Sequence, residues 1–284
     1  MQLDWLQKKI NEALPAETAM KGDRIGLQIQ SGQENIKKLL ITLEITEEVI
    51  EEAEKQQANC IITFHPLIFL PLTSIHNNER IGRLATKLIK KDIAVISVHT
   101  TFDSYIQGTS QILAERLGLR VEGFLVPDEH YKSVGMGVVA TTDSPISEMD
   151  FLQRVSDICG SPVRWCNGNK KTVEKIAIVG GSGTSFMEQA FGSGADCFIT
   201  ADITYHQFHL ARGRLMLVDP GHYEMEQFVT FGLAKLINTI LNGEVEVVIN
   251  SSVTNPINYF PGTTEYINKQ KKIICVNEQF NMKK

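Results

Sequence analysis

The chain has 284 residues, a 43% hydrophobic fraction and a formal net charge of −5. That length suffices for two domains with cores of their own, and the acid excess argues against a surface built for nucleic-acid phosphates, which takes clustered Lys and Arg. No apolar stretch reaches the roughly 18 residues of a membrane span, and the amphipathic start Met1-Gln-Leu-Asp-Trp-Leu lacks the pattern of a signal peptide, so a cytoplasmic protein with no membrane partner is expected.

Apolar spacing over residues 3–14 predicts a helix that Pro15 ends, and residues 22–30 read as a loop running into an extended segment. Residues 39–43 form a short apolar run, expected as a buried strand, and residues 46–56 a helix capped by Thr46. Strands follow at 60–63 and 94–98, with helices at 81–91 and 109–117. Pro127-Asp128 marks the expected boundary, and residues 134–140 alternate in the manner of an edge strand. The second half repeats the order: strands at 176–179, 197–200 and 215–218, a helix at 185–191 and one long helix over 224–241. Apolar strands alternating with helices imply largely parallel sheets covered by helices. The expected division is a first α/β domain at 1–126, a second at 127–257, and a polar tail at 258–284.

The two halves resemble each other residue by residue. Sliding residues 36–66 along by 137 positions, without a gap, onto residues 173–203 aligns Ile41 with Ile178, Ala53 with Ala190, Cys60 with Cys197 and Thr63 with Thr200. The five cysteines include no C-x-x-C pair, and the repeated Cys60 and Cys197 read as small buried hydrophobes. A shift of 123 then places His99 on His222 and Asp103 on Glu226. One chain has twice set a His and an acid four residues apart, just past an apolar strand. His65 stands in the same relation to the strand at 60–63. Ligand sites of open α/β sheets lie beyond the carboxyl ends of the strands, and mixed His and carboxylate donors suit Zn, Mn, Fe or Co. A metal held between two related domains is the simplest reason for the duplication.

Residues 61–69, Ile-Ile-Thr-Phe-His-Pro-Leu-Ile-Phe, match the hallmark I-T-H-H-P-L-I-F of a known family, His99-Thr-Thr-Phe-Asp103 its H-T-x-x-D, and Gly221-His-Tyr-Glu-Met-Glu226 its G-H-Y-x-T-E. Asp23-Arg-Ile-Gly-Leu-Gln28 and Thr200-Ala-Asp-Ile-Thr-Tyr-His206 fit two weaker blocks. The chain thus resembles the NIF-three-like dinuclear metal family, the type 2 homologues of GTP cyclohydrolase I, from about Leu3 to Pro256. The resemblance implies two similar α/β domains, a two-metal site in the cleft between them and a homohexameric ring. Carried over by position, His65, Asp103 and Glu226 would hold one ion, His222 and Glu226 the other, with Glu226 bridging. The family's remaining hallmark His is Phe64 here, and a phenyl ring offers no lone pair, so one site is expected to be impaired.

The implied activity is metal-dependent hydrolysis of a purine nucleotide, with Glu226 or Asp103 orienting water and His99 or His206 moving the proton. The alternative is a non-catalytic metal-binding scaffold serving metal handling or protein assembly. Two further features carry weaker signals. The stretch Val179-Gly-Gly-Ser-Gly-Thr-Ser185 sits between a strand and a helix and could offer N–H groups to a phosphate, but it lacks the Lys of a P-loop. Tyr205, Phe208 and Tyr223 could stack a base or simply pack.

Overall fold

The computed structural model describes residues 1–33 and 35–259, so all but the first two residues of the expected tail lie outside the described residues. In chain order the elements are α1 (Leu3–Ala13), β1 (Gly26–Ile29), β2 (Lys38–Thr42), α2 (Glu47–Lys55), β3 (Cys60–Thr63), α3 (Arg80–Lys90), β4 (Ala94–Ser97) and α4 (His99–Asp103). There follow α5 (Thr109–Arg116), β5 (Arg120–Pro127), β6 (Gly135–Ser147), α6 (Glu148–Cys159), β7 (Arg164–Cys166), β8 (Thr172–Ile178), α7 (Met187–Gly192), β9 (Cys197–Ile199), α8 (Tyr205–Ala211), β10 (Met216–Asp219) and α9 (His222–Glu226). The described chain closes with α10 (Val229–Leu241) and β11 (Glu246–Ile249).

Two mixed sheets result, ordered β1-β4-β3-β2-β11 and β5-β6-β8-β9-β10-β7. They belong to two compact units of the described residues, one of residues 1–102 with 229–259 and the other of residues 103–228. The expected division at 126/127 falls elsewhere: Pro127 ends β5, which pairs antiparallel with β6 across a hairpin inside the second sheet. The segment 134–140 belongs to β6, an interior strand running on to Ser147, and β5 is the edge. The expected single helix over 224–241 is two, α9 and α10, broken where the chain passes from the second unit to the first.

The repeat is visible in the register. In the first unit β2 and β3 run parallel with Leu39 opposite Cys60 and Ile41 opposite Ile62; in the second, β8 and β9 run parallel with Ile176 opposite Cys197 and Ile178 opposite Ile199. Those are the residues that the 137-position shift equates, and α2 and α7 fall at the same point of each copy. An antiparallel strand flanks each third strand, β1 beside β4 and β7 beside β10. These are two similar α/β domains. Cys60 and Cys197 are fully buried in β3 and β9, and burial pushes the Cys60 thiol up to about 12.

The copies also share a clamp. Asn59 accepts from the Lys37 N–H at 2.9 Å, and the equivalent Asp196 accepts from the N–H groups of Glu174 and Lys175, both at 3.0 Å. Each side chain ties the first strand of its copy, at its start in β2 and midway in β8, to the start of the next. Asp196 is buried and also bonds Lys170. Burial pushes its carboxyl up, but Lys170 and the two backbone donors outweigh this and hold it below the ordinary value. Asp196→Ala is therefore expected to cost about 1–2 kcal/mol, since two part-buried backbone N–H groups lose a charged acceptor. A depressed native pKa gives stability that is present above the unfolded value of about 3.9 and is lost as the pH falls through the native value. Urea titrations should accordingly show a wide gap between parent and variant at neutral pH that narrows below pH 4.

Candidate metal centre

In the first domain, parallel pairing carries β3 past the end of β2, where the N–H groups of Phe64 and His65 bond the carbonyls of Thr42 and Leu43 at 3.0 and 2.9 Å. His65 is thereby fixed beyond the carboxyl end of β3, with Nδ1 3.3 Å from Glu44 Oε2. Arg80 donates to the other Glu44 oxygen at 3.0 Å. Burial raises the Glu44 carboxyl, and the His65 and Arg80 contacts more than offset it, for a net lowering.

His99 follows β4 with φ of +22°, a conformation that non-glycine residues rarely adopt. Its Nδ1 lies 2.6 Å from Asp23 Oδ1, while the Thr100 N–H and hydroxyl both donate to Asp23 Oδ2. Asp23 is almost wholly buried, which raises its carboxyl, but the bonds from His99 and Thr100 prevail and bring it down to about 2. Phe64 is 0% exposed, its ring edge-on to His99 and Phe102 at centroid distances of 5.6 and 6.4 Å. The substituted hallmark position is a sealed apolar one.

In the second domain Asp219, at the end of β10, accepts from the N–H groups of Ile203 at 3.2 Å and Gly221 at 3.0 Å, tying the loops after β9 and β10 together. Those loops carry Asp202 and His222. His222 Nδ1 is 2.7 Å from Asp202 Oδ2, and its Nε2 is 3.1 Å from Glu226 Oε2, one turn along α9. Burial lowers the imidazole pKa, but two carboxylates reverse this and raise it to about 11, with Asp202 held down at about 2 chiefly by His222. The two copies differ by one residue here. Cys60 pairs with Ala94 and Cys197 with Met216, so His222 stands one position farther from its strand than His99. The additional residue is taken up at Pro220-Gly221, where Gly221 has φ of +97°.

The glycine loop after β8 serves this group. Gly181 has φ of +58°, and a Cβ there would sit 2.6 Å from Glu226 Oε1 and 3.2 Å from His222 Nε2. A Cβ on Gly180 would meet Thr109 at 2.5 Å and lie 3.6 Å from Asp103 Oδ1. The glycines let the backbone run against Asp103, His222 and Glu226. The Gly180 and Gly183 N–H groups are spent inside the domain, on the hydroxyls of Ser110 and Thr200, so the tight-turn reading of this loop accounts for it. His206 is exposed on α8 beside Tyr205, whose ring is itself 71% exposed, whereas Phe208 packs against the core beneath Arg164.

Sequence reasoning overlooked Asp23, Glu44, Asp202 and Gly181 as parts of this centre. Asp23 and Asp202 stood inside the two weaker blocks, and Glu44 lies just beyond the carboxyl end of β2, where the strand-end rule had already directed attention.

The donors fit a divalent cation: imidazoles oriented through Nδ1 by carboxylates, and a buried acid beside a backbone stretch that only glycine can occupy. The profile of the Duf34/NIF3 (NGG1p interacting factor 3) family matches residues 1–256. The chain belongs to that family. A Clostridium perfringens relative called a GTP cyclohydrolase 1 type 2 homolog is 31% identical over 263 residues, covering 91% of this chain and all of that one. A Lactococcus lactis relative of the same name is 31% identical over 85% of this chain and 93% of its own length. Among solved structures, a Staphylococcus aureus hypothetical protein superposes with a TM-score of 0.84 at 28% identity, covering 92% of this chain and 99% of that one. The DUF34/NIF3 chain offers a possible metal site, and no helix among its described residues is long and apolar enough to cross a membrane.

Proposed function

We propose that this DUF34/NIF3 protein is a cytoplasmic, metal-dependent hydrolase of a purine nucleotide, in which His65, Asp103, His222 and Glu226 hold Zn, Mn, Fe or Co. His222 and Glu226 stand together in the second domain, with His222 Nε2 3.1 Å from Glu226 Oε2, and His65 and Asp103 are added from the family pattern. The observation that carries the reading is the Glu226–His222 pair pressed against Gly181, an arrangement maintained by a backbone conformation that other residues resist. A divalent ion there supplies Lewis acidity toward water and the group under attack. Glu226 orients the water, and His99, held by Asp23, carries the proton. The purine nucleotide comes from the name that the relatives bear.

Metal-loaded protein incubated with a nucleotide panel including GTP should release product, and Glu226→Gln should lower the rate by at least about 100-fold, the usual range for losing a positioned acid–base group. Metal uptake with no turnover on any nucleotide would refute catalysis and support the second reading, a metal-binding scaffold. Phe64 favours that alternative, because it takes one imidazole away from the two-metal pattern.

The family resemblance and the prevalence of closed symmetry support a homohexamer. Light scattering at micromolar concentration should return six times the 31.7 kDa chain mass; a monomer would rule the assembly out.

A further inference from the structure

All three strand-end histidines contact a carboxylate through the same ring atom. The pairs are His65 Nδ1 with Glu44 at 3.3 Å, His99 Nδ1 with Asp23 at 2.6 Å, and His222 Nδ1 with Asp202 at 2.7 Å. We infer that Glu44, Asp23 and Asp202 are positioning residues that commit each histidine to Nε2 as its working atom, an assignment that rests on the metal reading above for what Nε2 then does.

The chain's own duplication supplies the main argument. His99 and His222 are equivalent residues of the two copies, but their acids are not. Asp202 falls on His65 under the 137-position shift, and Asp23 lies upstream of the segment repeated at all. A contact left over from an ancestral single domain would come from matching positions. Here the same bond to the same nitrogen is made from unrelated places in the fold, one before β1 and the other after β9.

Each acid is also held in turn. Asp23 accepts from the Arg24 N–H at 2.7 Å and from Thr100, Glu44 from Arg80, and Asp202 from the Ser182 hydroxyl. In two of the pairs one partner adopts a positive φ, His99 at +22° and Asp202 at +56°. Residues in that region cost free energy and persist where their surroundings require them. An Nδ1–H donated to a carboxylate fixes the ring plane and, once the ring is neutral, leaves the lone pair on Nε2, the arrangement common among metal-bound histidines. His222, charged between Asp202 and Glu226 in the metal-free chain, reaches that form when an ion displaces its Nε2 proton.

Long-range proton–nitrogen NMR on metal-free protein labelled with ¹⁵N-histidine, near pH 7.5, reads the tautomers without any metal or activity. His65 and His99 should carry the proton on Nδ1, opposite to the Nε2–H form that free histidine prefers. Asp23→Asn should turn His99 to the Nε2–H form, because the amide N–H₂ can donate to Nδ1 as it does in the serine-protease Asp→Asn case. Zinc titration of Glu44→Gln and Asp202→Asn should show affinities about 10–100-fold weaker than the parent's. Nε2–H tautomers at His65 and His99 in the parent would overturn the inference, and so would zinc affinity indifferent to both substitutions. Nδ1–H tautomers in a parent that takes up no zinc would uphold the positioning and defeat the metal reading alone.

Discussion

Phe64→His is expected to raise the number of tightly bound zinc or manganese ions from one per chain to two. In the proposed ligand assignment His65, Asp103 and Glu226 complete one position, while His222 and Glu226 leave the other short of the three protein ligands usual at an open catalytic site. An imidazole at position 64 adds the missing nitrogen. The exchange has a cost, because Phe64 is fully buried with its ring against His99 and Phe102. Removing a buried aromatic ring forfeits roughly 1.5–3 kcal/mol of apolar burial, so the zinc-free variant should unfold at lower urea concentration. Elemental analysis after titration and gel filtration counts the ions. Two ions in the unaltered chain, or one in the variant, would refute the impairment attributed to Phe64.

Gly181→Ala is expected to weaken zinc binding by about 10–100-fold, the range seen when the supports of metal ligands are disturbed. Its Cβ would stand 2.6 Å from Glu226 Oε1, closer than any relaxed contact, so the carboxylate must leave its place beside His222. Gly194→Ala is the matched control: its φ is +73° and a Cβ there meets nothing within 4 Å. Both variants force an alanine into left-handed backbone, worth roughly 1–2 kcal/mol, and both should lose that much stability. Only Gly181→Ala should lose metal affinity. Equal affinities in calorimetric titrations of the two variants would show that the loop does not bear on the site.

The repeated strand–helix–strand units could be read from the sequence because they are local. Short apolar runs such as 39–43 and 176–179 bury themselves wherever they lie, and the helix between β2 and β3 begins at Thr46, whose hydroxyl accepts from the Val49 N–H at 3.3 Å. His65, His99 and His222 were legible for the same reason, each following directly on such a run. The flanking strands were less so. β7 has only three residues, too few to show a pattern; the apolar run 245–249 is as plain as the others, but its pairing with β2, some two hundred positions back, is not local. The boundary was misplaced because Pro127-Asp128 is a good turn signal, and a turn inside a hairpin reads the same as one between domains. The orienting acids escaped notice because Asp23 and His99 are 76 positions apart, and Asp202 and His222 are 20. Periodicity is silent on which distant loops meet.

The domain that occupies residues 103–228 is set into the sequence of the other, which has a consequence in time. During synthesis β1 to β4 emerge first, but the flank of β2 that receives Glu246–Ile249 has no partner until about two hundred further residues have been made. At translation rates of roughly 5–20 residues per second that interval is on the order of 10–40 s. Through it the nascent chain presents a strand edge of Leu39, Leu40 and Ile41, the kind of surface that recruits wrong partners. The inserted domain meets no such delay, since its sequence is complete before α10 begins. The half of the protein that is encoded first is therefore the half that is finished last, and the stretch of the ribosome's work in which this chain is most exposed to aggregation is the making of its second domain.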